Sequence, residues 1–171
     1  DLSAWEALVD GRSGPVFGTF TWSDSKGLAL GLLNPEQATL LRFGAEGVQT
    51  EFLRLPFKWQ PETGVQLGDT LYVFGGDVDP VTGLPAKDGA LKVARFAGTK
   101  FEEVELQDPP RIHQGLFWLK ALRHEGRIHV FWRGAEENPG ASFEAPLTFT
   151  LTGQLHWTTF DGHGFDGPVR N

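Results

Sequence analysis

Apolar and polar positions along this chain alternate with a period of two far more often than with a period near 3.6. Residues 16–23 set Phe20 and Trp22 against Thr19 and Thr21. Residues 147–151 set Leu147, Phe149 and Leu151 against Thr148 and Thr150. Such alternation is that of a strand with one buried face. Two stretches, 28–33 and 71–74, are apolar throughout and read as strands, the first of them covered on both faces. No long stretch repeats apolar residues at i, i+3, i+4 and i+7, so the pattern predicts little or no helix.

Turn signals separate these runs. Asp24-Ser25-Lys26-Gly27 reads as a hairpin turn with glycine at a positive φ. The run Leu71-Tyr72-Val73-Phe74 goes straight into Gly75-Gly76, and a loop over 75–89 follows. Further strands are expected at 5–9, 38–43, 48–55, 64–67, 90–96, 101–106, 116–122, 127–132 and 155–160. Connecting loops are expected at 56–63, 107–115 and 133–146. The apolar second strands opening at Leu28, Leu71 and Ile128 recur at intervals that bracket the ~50 residues of a kelch unit. The expected organisation is therefore one all-β segment with three four-stranded units at 16–55, 64–106 and 116–160. Residues 1–15 form the outer strand of a preceding unit, and 161–171 form a linker.

Residues 71–76 resemble the apolar-run-plus-diglycine signature of kelch repeats. Phe101-Glu102-Glu103-Val104-Glu105-Leu106 resembles the outermost strand of such a repeat, and Asp108-Pro109-Pro110-Arg111 the linker into the next. His124 to Phe131 resembles the turn and second strand again. The diglycine is replaced by Leu32-Leu33 in the first unit and by Trp132-Arg133 in the third, and Phe96 and Phe101 stand where the pattern has its Tyr/Trp pair. The resemblance implies about three four-stranded antiparallel kelch-like propeller blades. Three blades do not close a ring, because closed propellers have at least about four. The expectation is a larger or oligomeric propeller, completed by a second copy, another subunit or further sequence.

Composition narrows the chemistry. A net charge of −7 argues against a nucleic-acid backbone as partner. No apolar run approaches the ~20 residues of a membrane span. With no cysteine there is neither a disulfide framework nor a thiolate zinc site. The absence of cysteine does not fix the compartment; a secreted or periplasmic one is favoured. Residue 1 is not methionine, so a removed leader or a longer parent chain is expected.

In the expected topology the long loops share one rim, where binding is usually found. Candidate partner-binding residues on that rim are Lys58, Trp59, Asp77, Asp79, Asp88, Arg111, His113, Arg133, Glu136 and Glu137. Trp59 either stacks on a sugar or protein partner or tucks between blades. Asp77 and Asp79, with Asp88 beyond, space carboxylates as some calcium loops do, without the full ligand set. Glu136 and Glu137 admit acid–base glycoside chemistry or plain surface charge. No nucleophile or phosphate-loop motif is present, and no catalytic residue is assigned. The first functional reading is a non-catalytic propeller module whose long-loop rim binds a protein partner or another subunit. The alternative is a secreted carbohydrate-binding or carbohydrate-active propeller, with Trp59 and the rim carboxylates facing a glycan.

Overall fold

The computed structural model describes residues 18–34, 37–81, 86–96, 98–112, 116–137, 149–151 and 154–170. They form an all-β structure of three antiparallel sheets, with no helix among the described residues. The first sheet is a meander of β1 (Gly18–Asp24), β2 (Gly27–Leu33), β3 (Gln37–Gly44) and β4 (Gly47–Arg54). The second is β5 (Gln60–Leu67), β6 (Thr70–Gly76), β7 (Gly89–Phe96) and β8 (Phe101–Glu103), with β9 (Arg111–Ile112) added beside β7. The third is β10 (Leu116–His124), β11 (Arg127–Glu137), β13 (His156–Phe160) and β14 (Phe165–Arg170). There β12 (Phe149–Leu151) pairs only with the far end of β11.

The run 71–74 behaves as its composition demands. Leu71 and Val73 enter a core shared with the first sheet, together with Phe20, Trp22, Leu33, Leu40 and Phe96. Tyr72 and Phe74 enter a second core shared with the third sheet, with Val130, Trp132 and Phe160. Successive side chains of one strand thus feed two cores, so neither face of the second sheet is left to water. Each such side chain contributes about 1.5–3 kcal/mol of hydrophobic stabilisation.

Three expectations need correction. Residues 28–33 are not covered on both faces: Ala29, Gly31 and Leu33 are buried, but Leu28 is 67% exposed. The first sheet has a sheet neighbour on one side only among the described residues. The strand expected at 64–67 begins at Gln60, because a bulge between Pro61 and Thr63 lets the ladder continue past a residue with no N–H. The third sheet also ends differently. His156–Phe160 is its third strand rather than its fourth, and the fourth is Phe165–Arg170, inside the expected linker. The chain reverses between them because Asp161 Oδ1 accepts the N–H groups of His163 and Gly164 at 2.8 and 3.0 Å. The unit expected before residue 16 lies outside the described residues.

The first strands of the sheets come together, with β1 and β10 both lying beside β5. A Cβ built on Gly18 would meet the Glu62 backbone, and one on Gly64 would meet Phe20 at 2.8 Å. β1 and β5 therefore run side by side in the same direction, close enough that a larger residue at 64 would displace Phe20.

Candidate functional site

A groove with a volume of about 510 Å³ runs along the three first strands, within the range of small-molecule sites. Alternation on β1 builds one wall. Phe20 and Trp22 point into the core, so Thr19, Thr21 and Ser23 present their hydroxyl groups to the groove. The β10 side contributes Lys120 and Arg123, both exposed.

Gln66 of β5 holds the walls together. Its Oε1 accepts the Ser23 N–H at 3.0 Å, and its Nε2 donates to the carbonyls of Ser23 at 2.9 Å and Gly68 at 3.0 Å. A side-chain amide thus does what a neighbouring backbone would do in a sheet.

Beside the groove, half-buried at the β5 bulge, sits Glu62. Burial pushes its carboxyl up to about 7, against the opposing pull of a hydrogen bond from Gln60 Nε2 and the charge of Lys120. Sequence reading placed residue 62 in a loop and gave it no role. The available signal was the i, i+2 pair Gln60 and Glu62, which a strand start at residue 60 puts on one face.

The sequence-predicted rim residues do not converge. Trp59 is 4% exposed and belongs to the core between the first two sheets, so of its two readings the buried one holds and it does not belong among the rim residues. It stacks on Phe57 with centroids 4.0 Å apart. Gly75 makes room for it: a Cβ there would lie 2.7 Å from the Trp59 ring and 1.9 Å from the Gln60 carbonyl oxygen. Lys58, next in the chain, is exposed.

Asp77 is engaged in holding its own loop. It accepts the Ala90 N–H at 3.1 Å, pairs with Lys92 at 3.3 Å, and takes the Ala86 N–H on its carbonyl at 2.9 Å. Asp79 accepts the Val81 N–H at 2.8 Å in a local turn. Asp88 is exposed with φ 54. Arg111 is exposed on β9, whose pairing with Ala90 brings it to the same end of the second sheet as Asp77. His113 lies outside the described residues. Arg133, Glu136 and Glu137 are not in a loop, because β11 runs through them: Arg133 lies opposite Trp118, and Glu136 and Glu137 opposite Thr150 and Phe149. The strand extends that far because β12 supplies a partner beyond the end of β13.

No group of three or more His, Asp or Glu placed to hold a metal occurs among the described residues. We expect that calcium at about 1 mM, above the affinity of most protein calcium sites, leaves the melting temperature unchanged. A rise of several degrees would restore Asp77 and Asp79 as ligands.

No protein-family profile matches this chain, and neither does any curated protein. Its fold is similar to part of the apocarotenoid oxygenase of Synechocystis, seen in two solved structures of mutants that replace one glutamate by glutamine or by aspartate. The TM-scores are 0.53 and 0.52, each at 12% sequence identity. In each case the likeness covers 99% of this chain and 41% of that one. This chain therefore spans less than half the length of the structures it resembles. At that identity the likeness speaks for the fold alone.

Proposed function

We propose that the three sheets are kelch-like blades of a β-propeller, and that the segment is a non-catalytic binding module completed by further blades from outside it. One observation carries this reading. The second sheet is sealed on both faces, while the outer faces of the first and third expose large apolar side chains. On the first sheet Leu28, Phe43 and Phe52 are 67%, 64% and 62% exposed, and the strand register puts them on one face with Val48, while Leu41 and Thr39 between them are buried. On the third, Trp118 and Leu122 lie on the open face at 38% and 49%. Exposed apolar surface of this kind marks an interaction site. A four-stranded sheet like the chain's own is the occupant that fits a flat apolar sheet face. Likeness to 41% of a longer chain accords with such a segment. The oxygenase activity named for that protein is not carried over, since the likeness extends only to fold.

The test is the native mass in solution. The expected result is an assembly larger than one chain, which dissociates when Phe43 and Phe52 are both replaced by serine. A well-behaved folded monomer of the unaltered chain would overturn the proposal. Within the assembly, the loops at the Asp77 and Arg111 end of the second sheet form the surface offered to a protein partner or another subunit.

A further inference from the structure

We infer that the groove along β1, β5 and β10 is a seat for a hydroxylated organic anion, of which a sugar acid is the simplest example. The argument begins with sign. The chain carries a net charge of −7, yet among the described residues the groove lining contains Lys120 and Arg123 and no carboxylate. Glu62 acts on Lys120 from beside the groove, whereas among the described residues no carboxylate pairs with Arg123, which is the principal anchor. A guanidinium offers two parallel N–H donors to a carboxylate.

The second element is the hydroxyl ladder. Thr19, Thr21 and Ser23 recur every second residue on one face of β1, steps of roughly 7 Å along the strand. Each hydroxyl both donates and accepts, as ligand hydroxyls do. Gln66 contributes shape rather than recognition, because its amide is engaged with the backbone of Ser23 and Gly68. One wall thus matches hydroxyls and the other matches a negative charge, across a volume that accepts a sugar-sized molecule.

The inference rests on the propeller reading in that ring closure would deepen the groove into an axial channel and set a further sheet beside the face that carries Thr19, Thr21 and Ser23. Ring closure is read by mass and ligand binding by titration, so each can fail alone.

Calorimetric titration of the unaltered chain with glucuronate, glucose and inorganic phosphate tests it. Glucuronate is expected to bind at millimolar affinity or better, with glucose at least about tenfold weaker. The Lys120→Gln/Arg123→Gln double variant should lose at least about tenfold for glucuronate. Thr19→Val/Thr21→Val should weaken glucuronate and leave phosphate unchanged. All four positions line the groove, and circular dichroism checks that the variants remain folded. No binding of glucuronate at about 10 mM, or equal binding by the unaltered chain and the Lys120/Arg123 variant, would overturn the inference. Phosphate binding as tightly as glucuronate, with both indifferent to the threonine variant, would overturn the sugar-acid assignment in favour of a bare oxyanion.

Discussion

Replacing Trp59 by alanine is expected to lower the free energy of unfolding by about 3–5 kcal/mol, the usual cost of emptying a buried aromatic site. The ring lies between Phe57, stacked at 4.0 Å, and the bare Cα of Gly75. Phe57 in turn meets Phe101 edge to face at 6.5 Å. Removing Trp59 would therefore leave a cavity walled by a strand backbone and a second aromatic ring, neither of which can collapse far into it. Trp59→Phe separates packing from polarity. The indole Nε1–H is buried with no acceptor among the described residues, so phenylalanine keeps much of the stack and discards an unsatisfied donor. Its cost should be well under half that of alanine. Chemical denaturation of the two variants makes the comparison. Equal losses, or a loss under about 1 kcal/mol for alanine, would show that Trp59 is not a core anchor.

The second large effect is a dependence of stability on pH centred on Glu62. Its carboxyl is raised by burial from 4.5 to about 7 in the folded chain. Below about pH 4.5 the group is protonated in both states and contributes no difference. Between about 4.5 and 7 the folded state keeps a proton that the unfolded state has lost, so stability falls as pH rises. Above about 7 the full penalty is present, up to about 3 kcal/mol for a shift of this size. Glu62→Gln should abolish that slope, leaving the variant more stable than the parent at about pH 8 and close to it at about pH 5. Asp24 and Asp161 are perturbed in the opposite direction. For Asp24, partial desolvation is outweighed by its bonds to Arg42; for Asp161, the N–H groups of Gly164 and His163 hold the carboxyl down. Both act on the acid side of the Glu62 window. A stability difference between parent and variant that stays constant from about pH 5 to pH 8 would show that Glu62 is not desolvated.

The two residues also mark the boundary between what was legible in the sequence and what was not. Trp59 and Gly75 are sixteen positions apart in the numbering, and nothing local says that the glycine exists for the indole. The diglycine was visible as a motif; its function as the floor of an aromatic site required the pairing of β5 with β6. For Glu62 the sequence offered only its i, i+2 spacing from Gln60, because its environment comes from a bulge and from Lys120 on another sheet. The groove was missed for the same reason: Thr19, Gln66 and Arg123 belong to three strands brought together only when the sheets pack. The acidic turns around Asp77 and Asp79 were noticed readily, because carboxylate spacing is a local signal. Their hydrogen bonds to Ala90 and Val81 show that local spacing also serves to close a loop.

The sequence alone determined the all-β class, the hairpins and the apolar strand at 71–74, because side-chain alternation and turn chemistry act over a few residues. It also marked the three second strands correctly, since each is an apolar run next to a tight turn. Only the tertiary structure decided where the third sheet ends, which tryptophan is core, and which polar side chains share a groove. Those outcomes depend on contacts between strands far apart in the chain, and a period of two says which face a residue occupies without saying what that face will meet.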